Sequence, residues 1–452
     1  MKTKVCNLTE GKITRTMLFF AFPMILGNLL QQVYNIADTL IVGRFLGANA
    51  LAAVGSAYTL MTFLTSVFLG LCMGSGAVFS VCYGEKNQPQ LLSSIKASFW
   101  LIISVTLVLN AAVFLLIDPI LAILQVPSEV YPLMREYLFI IFMGISAVFV
   151  YNFFACLLRA IGNSSIPLIF LGISAVVNII LDLVFVIVLK KGVAGAAAAT
   201  VIAQYLSGAG IAVYTWIKFP TLRFLGKKIK FDRRTLSEVS RFSFLTCIQQ
   251  SVMNLGILMV QGLVNSFGTI VMAAFAAAVK IDSFAYMPVQ DFGNAFSTFI
   301  AQNFGAEKRD RIARGIKSAM CISIIFSLFV SGVVILFARP LLLLFIQPHE
   351  TEILAVGVQY LRIEGAFYWG IGCLFLLYGL FRALQKPGMS VILTVISLGT
   401  RVALAYILSA IPSIGVTGIW VSVPIGWILA DITGFVYYRR CRSKMAKPTL
   451  PR

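Results

Sequence analysis

Long apolar stretches alternate with short polar segments along the whole chain. A helix of about 20 apolar residues crosses a hydrocarbon core about 30 Å thick. The pattern therefore predicts an all-α polytopic membrane protein with twelve transmembrane helices, at residues 14–42, 50–82, 92–117, 131–157, 164–189, 193–217, 238–264, 270–303, 313–337, 353–380, 388–410 and 415–438. Several of these spans exceed about 25 residues, so tilts or kinks are expected. Pro23 is the expected hinge of the first helix.

The second half of the chain repeats the first. When one half is laid on the other, Gly47 falls on Gly268, Tyr137 on Tyr360 and Gly195 on Gly418. Each half holds six helices, an even number, so the halves are expected to form a parallel repeat around a central cleft. The predicted organisation is an N-terminal lobe (1–218), a cytoplasmic linker (219–237) and a C-terminal lobe (238–452).

At the start of the second lobe, Thr235 and Glu238 have the spacing of a capping box that would open the seventh helix. A two-lobed repeat with a cleft is typical of transporters, whereas channels more often use oligomeric symmetry and a filter. The sequence contains no TVGYG-like filter.

Composition supports the membrane assignment. Hydrophobic residues make up 59% of the 452 residues and charged residues 12%, with a mean hydropathy of +0.93. A soluble chain carries about 25% charged residues. The first dozen residues are polar and unlike a cleaved signal, so the first helix is expected to remain in the mature chain.

The net charge of +19 reflects topology rather than nucleic-acid binding. Most Lys and Arg residues fall in alternate loops and in the two tails, on the side where the chain begins. This bias predicts cytoplasmic termini in a plasma membrane, the inner membrane of a bacterium, with basic loops near anionic lipid. No nucleic-acid partner is expected.

The remaining chemistry excludes several classes. The eight cysteines are scattered, with no CxxC pair, and His349 is the only histidine. We therefore expect no disulfide framework and no transition-metal site. No Walker A or GxSxG motif is present, so enzymatic activity, ATP-driven transport and a cofactor are not expected.

Carboxylates inside the predicted spans are the main functional candidates, because an ionisable side chain at membrane depth costs several kcal/mol. Asn178 and Asp182 are four residues apart and share one helix face. At about 1.5 Å per residue, Asp38, Asp182 and Thr200 lie about 9, 12 and 13 Å below the outer edge. These four side chains are predicted to form a site for Na⁺ or H⁺, since hard cations prefer oxygen ligands.

The alternative is that Asp38 and Asp182 pair with Arg44 and Lys190 at the outer interface. Asp38 and Arg44 are about 600° apart around a helix, which disfavours their pairing. A substrate cleft is predicted from polar, aromatic and Met residues: Gln31, Tyr34, Asn35, Phe153, Lys280, Asp282, Tyr286, Met287 and Arg401. Within it, Arg401 is expected either to pair inside the C-terminal lobe or to act on substrate or proton, and Asp291 is a further candidate.

Several motifs together resemble those of the multidrug and toxic compound extrusion (MATE) family, most closely its prokaryotic DinF-like branch. They are Ala37-Asp38, the stretch from Gly47 to Gly55, Tyr83-Gly-Glu85, Leu158 to Gly162, and Asn178 through Asp182. The resemblance covers essentially the whole chain. It implies two six-helix bundles that open alternately, Na⁺- or H⁺-coupled export of organic cations, and an ion site at Asp38, Asn178, Asp182 and Thr200.

The predicted function is a cation-coupled antiporter that exports small organic cations across the plasma membrane, expected to act as a monomer among membrane lipids. The alternative is a flippase for a lipid-linked or amphipathic substrate, whose cleft would be longer and more cationic. A third possibility is a receptor or scaffold that transports nothing.

Overall fold

The computed structural model describes residues 6–123, 126–224 and 232–442, and all of the regular structure in these ranges is helical. The chain forms two compact units. The first comprises Met1–Ser251 with Ala301–Lys308, and the second comprises Val252–Ile300 with Arg309–Arg452. The predicted division at residues 219–237 remains a prediction, and residues 225–231 of that linker lie outside the described part.

The helices of the first half run in chain order as α1 (Ile13–Leu46), α2 (Ala48–Gly84), α3 (Gln88–Leu115), α4 (Ile117–Ile123), α5 (Tyr131–Met143), α6 (Ile145–Ala160), α7 (Ser165–Asp182) and α8 (Gly192–Lys218). A π-helix, Leu183–Val188, continues α7. A short 3₁₀-helix, Pro220–Leu222, follows α8.

The second half repeats this order with α9 (Arg233–Asn265), α10 (Thr269–Gly305), α11 (Arg309–Leu336), α12 (Ala338–Leu342), α13 (Thr351–Gly365), α14 (Tyr368–Ala383), α15 (Pro387–Ser409) and α16 (Val416–Arg442). The short helices α4 and α12 contain Pro119 and Pro340, which fall on each other in the sequence repeat. Neither short helix was predicted. The order of elements is thus the same in both halves.

Twelve spans are confirmed across the described residues. Ten single helices are long and apolar enough to cross a membrane, and two bent pairs supply the other two spans. The bent pairs correct the predicted continuous helices at 131–157 and 353–380: α5 and α6 meet at 43°, and α13 and α14 at 51°. Both breaks fall at a glycine, Gly144 or Gly365, and glycine is a common site of helix kinks.

Two other local predictions need correction. The predicted α-helix 164–189 is α-helical only to Asp182, after which it widens to a π-helix in which the Leu189 N–H donates to the Val184 carbonyl at 2.8 Å. The capping box at Thr235 is also wrong. Asp232 occupies the cap, because its carboxylate accepts from the Arg234 N–H at 3.1 Å and from the Thr235 hydroxyl at 3.3 Å.

Apolar side chains lie both inside and outside these helices. In the first unit one core gathers around Phe79, Phe149 and Phe153, and another around Phe68 and Phe142. The second unit has a core around Phe275 and Trp420. Large apolar side chains also remain exposed, such as Leu107 at 63% and Leu336 at 78%. The backbone polar groups of a helix are hydrogen-bonded within it, so the exposed apolar faces of these helices are suited to contact with lipid.

Glycines allow the helix ends of the first unit to approach closely. A β-carbon added at Gly84 would overlap the Gln302 carbonyl, and one added at Gly305 would overlap the Val81 carbonyl. The sequence repeat places Gly84 on Gly305 and Val81 on Gln302, so the two contacts correspond to each other. They join the end of α2 to the end of α10, which explains why residues 301–308 belong to the first unit.

Candidate functional site

The predicted cation site lies within the first unit, where α1, α7 and α8 pack against one another. Asp38 projects from α1, Asn178 and Asp182 from α7, and Thr200 from α8. Asn178 is 2% exposed and Asp182 is fully buried at 0%. Asp182 is the last residue of α7 before the π-helix, and such widened turns often occur at functional sites.

Hydrogen bonds fix the amide of Asn178. Its Nδ2 donates to the Thr200 Oγ1 at 3.3 Å, and the Thr200 hydroxyl donates to the Ala196 carbonyl at 3.1 Å. The small residues at the start of α8, which include the buried Ala196 and Ala197, allow this close approach of α7 and α8. The bonding leaves the Asn178 Oδ1 without a partner.

The carboxylate oxygens are also unpartnered. The Asp38 Oδ1 and both oxygens of Asp182 are buried and accept no hydrogen bond. Neither carboxylate is bonded to Arg44 or Lys190, so the alternative of outer ion pairs is not supported. Buried polar atoms are nearly always satisfied, so four such oxygens in one place make this neighbourhood a candidate site for a small cation.

Electrostatic contacts show that these groups share one neighbourhood. The charge of Asp38 acts on Asp182, and both carboxylates act on the hydroxyls of Tyr34 and Tyr137. Tyr34 was among the predicted cleft residues. Tyr137, on α5, was missed, although it falls on Tyr360 in the sequence repeat.

The donor set is hard and anionic: two carboxylates, an amide oxygen and a hydroxyl oxygen. It suits Na⁺, which prefers such ligands, or a proton shared between the carboxylates. No cluster of three or more His, Cys, Asp or Glu side chains suited to a metal ion occurs in residues 6–123, 126–224 and 232–442.

A second buried polar cluster lies in the second unit around Asp282, on α10. Asp282 accepts hydrogen bonds from the hydroxyls of Tyr360, at 2.6 Å, and Tyr368. Glu364 is 4% exposed and hydrogen-bonds Asp282. Arg401 acts electrostatically on both acids. Glu364 was missed, although it falls inside the predicted span 353–380, where an ionisable side chain is a candidate by the same criterion as Asp38.

The remaining predicted cleft residues have varied surroundings. The prediction that Phe153 lines a cleft is wrong, because this side chain is 1% exposed inside an aromatic core rather than on an open surface. Asp282 is likewise buried, at 4%, among its tyrosine donors. Lys280 is exposed, with its Nζ 5.7 Å from the centre of the Phe345 ring. Arg401 lies within electrostatic range of Asp282 and Glu364, but its Nε has no hydrogen-bond partner, so internal pairing and a role on substrate or proton both stay predictions.

Gln31 hydrogen-bonds Tyr34 in α1, and the Asn35 Nδ2 donates to the Gln32 side chain at 3.3 Å. Tyr286 and Met287 are partly buried on α10. Pro23 lies inside α1, which continues through it without a break, so its role as a hinge stays a prediction.

Comparison with known proteins gives a consistent result. The MatE family profile matches residues 23–184 and 242–407, one match in each half. The chain is 30% identical over 450 residues to the probable multidrug resistance protein YpnP of Bacillus subtilis (strain 168), which covers 98% of this chain and 99% of that protein. It is 28% identical over 448 residues to the probable multidrug resistance protein YoeA of the same strain, over 95% of this chain and 94% of that one.

Solved structures share the fold. An outward-facing multidrug resistance MATE family transporter of the MOP superfamily matches with a TM-score of 0.92 and 22% identity, over 99% of this chain and 100% of that chain. Another match, a MATE protein in a bent conformation, has a TM-score of 0.91. At this level of identity the likeness establishes the fold alone.

Proposed function

The chain belongs to the MATE family of multi-pass membrane transporters and is not an enzyme, and from this premise we propose that it is a cation-coupled antiporter. In this proposal it exports small organic cations across the plasma membrane in exchange for Na⁺ or H⁺. Both termini then lie on the cytoplasmic side, where most of the Lys and Arg residues fall; residues 1–5 and 443–452 lie outside the described part.

The observation that carries the proposal is the set of unpartnered oxygens on Asp38, Asn178 and Asp182. Two carboxylates without a cationic neighbour repel each other and have lost hydration. A bound Na⁺ or H⁺ removes both costs, so the site has a physical reason to take up a small cation.

Coupling follows from this charge balance. When the cation binds, the repulsion between Asp38 and Asp182 is relieved, and α1 rearranges near Pro23. Release of cargo accompanies this step. Because linkage is reciprocal, the cargo must weaken cation binding by the same factor by which the cation weakens cargo binding.

The neighbourhood of Tyr34 supports an organic cation as cargo. Its ring lies beside two negative charges, and cations are attracted both to aromatic faces and to carboxylates. The flippase alternative requires a cationic lining for phosphates. The negative charges of Asp282 and Glu364 lie within electrostatic range of Arg401, so the charge of Arg401 gives little support to the flippase alternative.

The test is transport in vesicles made from the purified protein. A fluorescent organic cation is loaded, and a Na⁺ gradient or a pH gradient is imposed separately. We expect one gradient to drive export and Asp38→Asn to abolish the gradient-driven part. Asp118→Asn is the matched control, because this exposed aspartate already pairs with Arg135 at 2.7 Å. Normal gradient-driven export in Asp38→Asn would remove the proposal.

A further inference from the structure

Asp431, on α16 of the second unit, belongs to neither of the clusters described above. It is 5% exposed, and both of its carboxyl oxygens are buried without a hydrogen-bond partner. Within residues 6–123, 126–224 and 232–442, no Lys or Arg forms an ion pair with it. The apolar residues Ile419, Trp420, Val423, Trp427 and Ala430 of the same helix are buried with it.

The fold makes room for this carboxyl. In the sequence repeat Asp431 falls on Gly208, and Gly370 on α14 falls on Ala147. In the first unit a β-carbon at Gly208 would lie 2.9 Å from the Ala147 carbonyl, so the two helices are in contact there. In the second unit the nearest heavy atoms to a β-carbon at Gly370 are Trp427 Cβ at 3.6 Å and Asp431 Oδ2 at 3.8 Å. In the second unit the glycine at this contact is Gly370 on α14, and the carboxyl of Asp431 on α16 occupies the space beside it.

Among the described residues, the surroundings of Asp431 contain no set of side chains suited to a metal ion. From α14, Cys373 and Tyr378 lie within electrostatic range, and Tyr378 hydrogen-bonds Thr394 on α15. A thiol and a phenol are poor ligands for Na⁺, which prefers several oxygens. A proton needs no further ligand than the carboxyl itself.

Other charged and titratable groups pack against α16 farther along it. Lys386 lies with its Nζ 5.3 Å from the centre of the Tyr437 ring, about 9 Å along the helix from Asp431. Arg401 on α15 packs beside Gly426, with its β-carbon 3.5 Å from an added one, and Tyr360 on α13 packs against Trp420. These contacts are about 8 Å and about 16 Å along the helix from Asp431. None of these groups neutralises a negative charge at Asp431, and an unpaired ionised carboxylate at membrane depth costs several kcal/mol.

We propose that Asp431 is a proton-binding site of the second unit, which takes up one H⁺ and releases it during the transport cycle, separately from the cation site at Asp38 and Asp182. The carboxylate gains the proton from water on one side and returns it to water on the other, with no other bond made or broken. The 51° break between α13 and α14 lies close to Gly370. In this proposal a change in the bend moves Gly370 and Cys373 away from α16 and admits water. The uptake and release of H⁺ during transport rests on the proposed antiport, whereas the binding of a proton to Asp431 does not depend on it.

The first measurement tests the bound proton without transport. Dicyclohexylcarbodiimide, an apolar reagent, modifies protonated carboxyl groups, and mass spectrometry of peptides locates the modification. We expect Asp431 to be modified at neutral pH, with modification falling about tenfold per pH unit once the proton is lost. The same result is expected in Asp38→Asn. Absence of modification at acid pH, or modification that does not change with pH, would overturn the proposal.

The second measurement tests exchange. A pH-sensitive dye inside vesicles counts the H⁺ moved per organic cation exported. Asp431→Asn keeps the shape of the protonated acid, so cargo movement is expected to continue while the count falls by about one proton relative to the wild type. Asp310→Asn, which changes an exposed aspartate of the same unit, is expected to leave the count unchanged. An unchanged count in Asp431→Asn contradicts the proposal, even where the wild type transports normally.

Discussion

Replacing Asp182 by Asn has two opposite effects if the cation site works as proposed. The amide has nearly the shape of the carboxylate but no charge, and Asp182 is fully buried with both oxygens unpartnered. Without a bound cation, Asp182→Asn removes a desolvated charge and its repulsion from Asp38. Replacing a buried ion pair by uncharged groups of similar volume is neutral or stabilises proteins by about 1–4 kcal/mol, and removal of one charge from a repelling pair is expected to stabilise within the same range. The ion-free variant should therefore be more stable than the ion-free wild type.

In Asp182→Asn the bound cation loses one of its two proposed carboxylate ligands. Truncation of one partner in a buried charge pair costs about 2–5 kcal/mol, which corresponds to about 30-fold to about 4,000-fold weaker cation binding. In the wild type, a cation at 100 times its Kd stabilises the folded state by about 2.7 kcal/mol. In Asp182→Asn the same concentration no longer saturates the site.

Thermal unfolding in detergent measures both effects. Na⁺ is titrated against choline at constant ionic strength, and pH is titrated separately. We expect one of the two titrations to raise the wild-type Tm. At 100 times the wild-type Kd, a site about 30-fold weaker stabilises Asp182→Asn by about 0.9 kcal/mol, so its Tm should rise by about a third of the wild-type shift or less, from a higher ion-free value. Asp118→Asn should keep the wild-type response. A variant that is less stable and still responds fully to the cation would refute the reasoning.

Two further predictions concern polar contacts and pH. Thr200→Val keeps the size of the side chain but leaves the Nδ2 of Asn178 without its acceptor, which lowers the stability of the fold by about 1–3 kcal/mol. The ion-free Tm should therefore fall, and the Tm response to the cation should also weaken because one proposed oxygen ligand is lost, while Thr200→Ser stays near the wild type in the same Tm titration. At the end of α2, burial raises the pKa of Glu85, and the negative charges of Glu238 and Glu307 raise it further. The folded state then binds the proton more tightly than the unfolded state, so Glu85 destabilises the fold above its raised pKa and this penalty disappears as the pH falls through it. Glu85→Gln should therefore have a higher Tm than the wild type in alkaline solution, with the difference closing toward acid pH; a difference independent of pH would contradict this origin.

Hydropathy was sufficient to predict the number of spans, because a helix that crosses lipid must be apolar along its length. It could not predict the bends at Gly144 and Gly365. These breaks depend on contacts between helices, and the apolar pattern is the same on both sides of each break. The π-helix after Asp182 could not be predicted for the same reason.

The residues of the proposed cation site could be predicted because an ionisable side chain at membrane depth is costly and therefore conspicuous in the sequence, and the spacing of Asn178 and Asp182 places them on one helix face. Tyr137 carries no charge and looks like an ordinary aromatic residue of a span. The signal available in the sequence was that Tyr137 falls on Tyr360 in the repeat. In the structure Tyr360 donates a hydrogen bond to Asp282. Phe153 was mistaken for a cleft residue, because an aromatic in a core and one on a cleft have the same sequence pattern.

The central claim is that Asp38 and Asp182 together take up a small cation that the cargo displaces. Its most direct test counts the Na⁺ and H⁺ bound per chain of the purified protein, with and without a saturating organic cation, in the wild type and in the double variant Asp38→Asn, Asp182→Asn. The account predicts that the double variant binds one cation fewer than the wild type and that this cation is the one the cargo displaces. An equal count, with equal displacement by cargo, would contradict it.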